Sequence, residues 1–430
     1  MRFLSSLVAV MLALAGCHAK SNAPGEAPTG VTATPGDGLV VISWTVVPDL
    51  TYWIFFAPGD SVSVGAPGSF AIRRALDPRV VSGLANGTQY AFIMNATNND
   101  SSAGPTSSPV TAIPQLAGST WVTSPGSPLG TQNLNAMAFN GSRFAVVGDA
   151  GTIFAGDLEY ASTTPQGVNA WTPPTTPPTP TFAENLTAII NVGTFIALGT
   201  NGAVISSGDG FNWSTNQTIP GASGMTGLAS GFVAGATVQT FVAVGSAGKI
   251  FFTTDLVTWI PATSNTTNDL TGVSVVNGNP GFFVATGTGG TLLTSQDAQN
   301  WSVNTTNTTS TLRAFTFGPS LQSPSTGVLY IAVGDAGTII TTPQLLGSPA
   351  TTVWTPINPA PTTQSLRSVT LGGATGTRFL AVGQGGAVVY SDDGFNWIPA
   401  SSGFNLARAI FGGGLYLGVG DAGANAVSRQ

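Results

Sequence analysis

One recurring phrase limits what this chain can fold into. Phe-x-Ala-Val-Gly-x-x-Gly-x-Ile, or a close variant, stands at Phe144…Gly148…Gly151-Thr152-Ile153, Phe195…Gly199…Gly202, Phe241…Gly245…Gly248-Lys249-Ile250 and Phe283…Gly287…Gly290. It returns at Ile331…Gly334…Gly337-Thr338-Ile339, Phe379…Gly383…Gly386 and Leu417…Gly420…Gly423, giving seven copies. A strand pattern leads into each copy, starting at Leu134, Leu186, Met225, Leu270, Leu312, Leu366 and Leu406. From Leu134 to Leu406 the chain advances 272 residues in six steps, about 45 per step. A unit of that length cannot bury an apolar face alone and must stack on its neighbours.

That period, with its short strands, is the period of a four-stranded propeller blade. A Trp closes each of the first six units: Trp171, Trp213, Trp259, Trp301, Trp354 and Trp397. Only 25 residues run from Leu406 to Gln430, room for three strands. The missing strand stands before the first copy, at Ser119-Thr120-Trp121-Val122-Thr123. It supplies the seventh Trp, completes the last blade and leaves no long open sheet edge. The expectation is a seven-bladed β-propeller over 119–430, closed by an N-terminal strand.

The turns before four of these Trp residues share a form. Ser207-Gly208-Asp209-Gly210-Phe211-Asn212-Trp213 and Ser391-Asp392-Asp393-Gly394-Phe395-Asn396-Trp397 are full copies. Thr253-x-Asp255…Trp259 and Ser295-x-Asp297…Trp301 are degenerate ones. They resemble the Asp-box, or BNR repeat, of sialidase-like propellers. The resemblance implies that Ser/Thr and Asp bond the hairpin backbone while Trp packs between blades, a structural role. Blades one and five lack the box, and Thr163 to Pro180, rich in Thr and Pro, reads as an exposed extended loop. The Gly-x-x-Gly segments lie between short strands with no helix after them. They read as hairpin turns in which Gly supplies positive φ, not as phosphate cradles. Asp149, Asp335 and Asp421 recur there in Gly-Asp-Ala-Gly and read as turn residues, with a calcium or ligand contact as the alternative.

Sialidases also carry an Arg-Ile-Pro motif, which is absent, and no paired-carboxylate spacing stands out for a glycosidase. The repeat phrasing is closer to the propellers of photosystem II assembly and stability factors and their bacterial relatives. That resemblance implies a binding scaffold and not an enzyme, although fold alone does not give function.

The segments ahead of the repeats have their own signals. Met1-Arg2 and the apolar run Phe3 to Ala15 suit a signal peptide, too short to span as a helix. Leu14-Ala15-Gly16-Cys17 resembles the bacterial lipobox, which implies a signal peptide over 1–16, lipid on Cys17 and outer-membrane sorting. Residues 17–27 read as a polar tether. Over 28–114, short alternating runs with frequent turns mark a β-sandwich. Pro28, Trp44 and the Leu84…Tyr90 pair resemble a fibronectin type III domain, in which Tyr90 would form the tyrosine corner. The whole chain is therefore expected to be all-β.

Composition narrows the chemistry. Among 430 residues, 7% are charged, with 12 Lys and Arg, so no nucleic-acid footprint is expected. The one Cys and one His, Cys17 and His18, lie beside the signal segment. The folded domains then lack the means for Ser-His-Asp chemistry, Cys nucleophiles or ordinary zinc sites. No cofactor, metal or catalytic residue is expected.

One residue set departs from the repeat. Arg313 and Arg367 follow the leading Leu in blades five and six, where Asn135, Thr187, Thr226 and Thr271 stand in blades one to four. Arg408 lies one place later in blade seven. Leading strands line the channel of a propeller, so these arginines form a candidate patch for a carboxylate or acidic peptide. Solvated or locally paired arginines are the alternative.

Together these features predict an exported, lipid-anchored, monomeric binding protein of the bacterial cell envelope. Its expected partner is an envelope or extracellular protein, with membrane contact through the lipid only. A carbohydrate-binding surface protein and a glycoside hydrolase are the competing readings.

Overall fold

A computed structural model describes residues 23–98, 102–124, 129–161, 164–168, 170–178, 183–233, 237–277, 281–320, 327–343, 352–373 and 376–429. The signal segment, Cys17 and the first part of the tether lie outside the described residues. The chain divides into two compact units. One comprises 1–34, 41–81 and 88–113; the other comprises 35–40, 82–87 and 114–430.

Seven strands precede the repeats: β1 (Thr32–Gly36), β2 (Leu39–Ser43), β3 (Leu50–Pro58), β4 (Phe70–Ala75), β5 (Arg79–Ser82), β6 (Tyr90–Asn98) and β7 (Val110–Ala112). They make a three-stranded sheet, β1-β2-β5, and a four-stranded sheet, β4-β3-β6-β7. Strands β3 and β6 pair antiparallel from Leu50↔Asn98 to Pro58↔Tyr90. Ile42, Ile54, Phe92 and Met94 are fully buried, and the Trp44 ring lies 5.3 Å from that of Tyr52. Leu84 and Tyr90, at the corner leading into β6, are both buried.

Each repeat forms its own four-stranded antiparallel sheet. The innermost strands are Leu134–Phe139, Leu186–Asn191, Met225–Gly231, Leu270–Val276, Leu312–Pro319, Leu366–Gly372 and Leu406–Gly412. They touch one another in chain order, and the last touches the first, so the sheets close into a ring around an axis. This is a β-propeller. The last repeat supplies three strands, and Val122–Thr123 adds the fourth by pairing Val122↔Val427 and Thr123↔Ala426.

Adjacent sheets bury a shared apolar layer, and each such layer holds one Trp. Trp213, for example, packs with Ala145 and Val147 of the first repeat and with Leu186 and Phe195 of the second. Trp121 packs with Val382 of the sixth repeat and Leu406 of the seventh. Outer strands are short, and Pro261, Pro356 and Pro399 sit in three of them. Proline there denies a partner chain one backbone donor, which blunts an open edge.

Two expectations are corrected. The Thr/Pro-rich segment of the first repeat is not wholly a loop. Thr164–Val168 is the fourth strand of that sheet, pairing Leu158↔Val168, and Val168 is fully buried. The nine-residue strand Ile153–Ala161 is long enough to recruit it. The second correction concerns the turns. Gly423 has positive φ, +72°, as expected, but Gly420 is extended at −172°. Gly420 is required for a different reason: a Cβ there would overlap the Asn405 carbonyl oxygen.

Candidate binding site

The inner strands place their second residue by a shared irregularity. In every repeat the pairing with the next strand slips between the first and third residues, as between Leu270 and Gly272 or Leu406 and Arg408. Such a bulge leaves the second residue out of the ladder and re-aims its side chain. Asn135 Nδ2 then donates to Leu186 O at 3.0 Å, and Thr226 Oγ1 donates to Leu270 O at 2.7 Å, each across a junction between sheets. Thr271 makes the same bond to Leu312 O. Thr187 instead bonds within its own sheet, to Leu198 O at 3.3 Å.

Arg313 and Arg367 hold this second position and turn to the aspartates of the Gly-Asp-Ala-Gly turns. Arg313 Nη2 donates to Asp335 Oδ2 at 3.0 Å, and Arg367 Nη1 donates to Asp421 Oδ1 at 2.8 Å across to the last repeat. In the first repeat, Asn135 Nδ2 donates to Asp149 Oδ1 at 2.9 Å. The turn aspartates therefore accept from whatever stands at the second position. Partial burial opposes ionisation of Asp335, but the Arg313 guanidinium holds its carboxyl below the ordinary carboxylate value.

Arg408 differs. Among the described residues its side chain has neither an ion pair nor a hydrogen bond to a protein acceptor. All three arginines line one central cavity of about 120 Å³, together with Asn135, Thr226 and Thr271. The structure thus gathers the sequence-chosen arginines at the channel and pairs two of them locally.

The hairpin residues form a separate, repeated arrangement. Asp209 Oδ1 accepts from the Ser207 hydroxyl at 3.1 Å and from the backbone N–H groups of Phe211 and Asn212 at 2.9 and 2.8 Å. Asp393 does the same with Ser391, Phe395 and Asn396, and Asp297 with Ser295, Gln299 and Asn300. Asp255 accepts from Thr253, Val257 and Thr258, all at 2.8 Å. These donors favour the ionised form. They hold Asp255 at about 2, with the Thr258 and Val257 N–H groups foremost, and they hold Asp209 lower still. Every donor belongs to the hairpin itself.

The indole N–H of Trp213, Trp301 and Trp397 donates to the carbonyl three residues earlier, at 2.8, 3.0 and 3.0 Å. Trp121 does the same to Gly118 O at 2.9 Å. The indole N–H groups of Trp171, Trp259 and Trp354 are buried without a protein acceptor. Two of these three, Trp171 and Trp354, follow the turns that lack the Ser-Asp pattern.

A further cavity, about 720 Å³, was not legible in the sequence. It is lined by Asn265, Asn268, Thr291, Asn304, Thr306 and Asn307, among others, with amides and hydroxyls and no charge. Runs such as Asn304 to Thr309 look like any polar loop until the ring places three of them side by side. Among the described residues of the propeller, Phe232 is the one large aromatic that is exposed, at 52%, and it does not line this groove. No three His, Cys, Asp or Glu side chains converge among the described residues.

Fold and site together define a β-propeller with an arginine-lined channel. The solved structures similar to it include YCF48 from Cyanidioschyzon merolae, 18% identical over 72% of this chain and 98% of that one, with a TM-score of 0.50. They also include YCF48 bound to D1 peptide, 16% identical over 72% of this chain and 94% of that one, with a TM-score of 0.51. At such identity the likeness is one of fold. No family model and no curated protein matches the sequence.

Proposed function

We propose that this chain is an exported, lipid-anchored, non-enzymatic scaffold that presents a seven-bladed β-propeller to a protein partner in the bacterial cell envelope. The observation that carries the reading is the channel, where Arg313, Arg367 and Arg408 converge on one face of a rigid ring. Guanidinium groups in a concave site are suited to a carboxylate or an acidic peptide. The fold likeness to YCF48, one form of which was solved with a D1 peptide, supports a peptide-binding use of such a ring. The sheets β1-β2-β5 and β4-β3-β6-β7 fit a fibronectin type III-like spacer over 28–114. The hairpin bonds of Asp209, Asp255, Asp297 and Asp393 fit the Asp-box reading.

Crosslinking the lipidated protein in its native envelope tests this. A partner recovered with the wild type and lost with the Arg313→Gln/Arg367→Gln double variant supports the patch. Equal recovery with both counts against it. A Cys17→Ser variant that leaves the membrane fraction supports the anchor. A second reading, glycan binding, is favoured by the amide and hydroxyl groove at Asn265 and Asn304. Binding on a glycan array that is lost in Asn304→Ala would establish it.

A further inference from the structure

The third residue of the inner strand is small in six repeats: Ala136, Ala188, Gly227, Gly272, Ala314 and Ser368. Small residues suit this position because neighbouring inner strands approach closely. A Cβ on Gly227 would lie 3.1 Å from Gly272 Cα. The seventh repeat departs from the rule. It has Ala407 at the second position and Arg408 at the third, so its long cationic side chain enters the space that six small residues leave open. Arg408 borders both the 120 Å³ central cavity and an adjoining one of about 30 Å³, facing Gly272, Ser274 and Thr286.

The other charges around the channel are satisfied. Arg313 is held by Asp335 and Arg367 by Asp421. Asp149 is held by the amides of Asn133 and Asn135. The hydroxyl protons of Thr226 and Thr271 go to backbone carbonyls. Arg408 is open to solvent within the channel, yet it is walled by protein, and that burial pushes its guanidinium below the ordinary value. A guanidinium so placed gains no carboxylate from the ring to balance its charge. Among the described residues, Arg313 Nη1 and Arg367 Nε and Nη2 have no protein acceptor, and both side chains line the same cavity.

We propose that the channel binds a small monovalent anion, a halide or a short monocarboxylate, on Arg408. Arg313 and Arg367 line the same cavity. Charge-assisted hydrogen bonds to a planar guanidinium provide the attraction. The cavity has room for an ion of acetate size with some of its water. The anion would take the same three arginines as the partner reading, so this inference rests on that reading and names the chemistry of its site.

The test uses the full mature chain in sodium gluconate, a bulky balancing anion, at constant ionic strength. The probes are chloride, read as excess ³⁵Cl line width, and acetate, read as competition with chloride and as a rise in melting temperature. Arg408→Ser gives the seventh repeat the residue that Ser368 already provides in the sixth, so the ring is expected to fold, as checked by its circular dichroism. The expected result is excess broadening in the wild type and binding about tenfold weaker or more in Arg408→Ser, as for loss of a charge-assisted contact. Broadening that acetate cannot displace assigns a halide. A melting rise with acetate and no broadening assigns a carboxylate. Neither signal in the wild type, or equal signals in a folded Arg408→Ser, overturns the proposal. Anion signals that Arg408→Ser abolishes, with no partner crosslinked to the wild type, would support the anion site while the partner reading fails.

Discussion

The backbone N–H of Ala422 donates to Asn133 Oδ1 at 3.0 Å, although 289 residues separate the two in sequence. The bond ties the last turn of the ring to the residue that leads into its first inner strand. The same link joins Ala150 to Asn185 at 3.0 Å, Ala247 to Asp269 at 2.8 Å and Gly385 to Asn405 at 2.7 Å. A side-chain acceptor just before the leading residue thus holds the turn of the preceding sheet, at the closing junction as at the internal ones.

Asn133→Ala should therefore loosen the closure. It removes the acceptor for Ala422 and the Nδ2 donor to Asp149. Both bonds are near the surface, so the expected cost is about 1 kcal/mol of unfolding free energy. Urea denaturation of Asn133→Ala and Asn185→Ala should give similar losses if the closing junction resembles an internal one. A loss confined to Asn185→Ala would show that the pairing of Val122–Thr123 alone carries the closure.

The same turns hold alanine where glycine is easier. Ala150, Ala247, Ala336 and Ala422 have φ near +51° to +55°, a region that costs an L-residue roughly 1 kcal/mol. Repeats four and six use Gly289 and Gly385 at that place. Glycine loses more entropy on folding, which offsets part of the gain. Ala336→Gly is expected to leave stability unchanged or raise it by a few tenths of a kcal/mol, against the usual penalty for Ala→Gly. A thermal melt showing a loss above about 1 kcal/mol would contradict the strain argument.

Much of this architecture was legible because it repeats. Seven copies of one phrase, the leading Leu and Met residues, and the Trp positions are periodic, and periodicity survives in a single sequence. What was not legible depends on register and on neighbours far along the chain. Nothing local marks the slip that re-aims the second residue of each inner strand, where Arg313 and Arg367 fold back on aspartates, while Arg408, at the third position, stays in the ladder and lines the channel. The pairing of Arg367 with Asp421 crosses a sheet junction. Gly420 looked like a positive-φ residue because the motif ends in one, whereas its requirement is the nearby Asn405 carbonyl. Thr164–Val168 has a loop composition and became a strand because the strand before it is long.

The hairpin carboxylates give the protein an acid limit. Asp255 sits at about 2, and Asp209, Asp297 and Asp393 are also held below the ordinary value. A carboxyl lowered in the folded state stabilises that state fully above its unfolded value, near 4. The contribution fades as pH falls through the folded value. The melting temperature should be flat above about pH 5 and fall steadily from about pH 4 towards pH 2. Asp209→Asn should melt lower at pH 7 and show a shallower decline in acid. A parallel decline in the variant and wild type would mean that other carboxylates set the limit.

Trp301 and Trp354 provide a paired test of the indole bond. Both side chains are about 1% exposed and each fills a layer between two sheets. Trp301 donates to Ala298 O at 3.0 Å, whereas the Trp354 N–H has no protein acceptor. Replacement by Phe removes comparable ring area from both layers, so the packing cost should be alike. The difference lies in the N–H. In Trp301→Phe a satisfied donor is lost and the Ala298 carbonyl is left without it. In Trp354→Phe a buried donor that was never satisfied disappears, which offsets part of the packing loss. Trp301→Phe should therefore cost about 1 kcal/mol more than Trp354→Phe, read from denaturation midpoints at equal m-values. Equal costs would mean that the turn carbonyl contributes nothing beyond position. The Ser-Asp turns would then stabilise the ring only through their own backbone bonds.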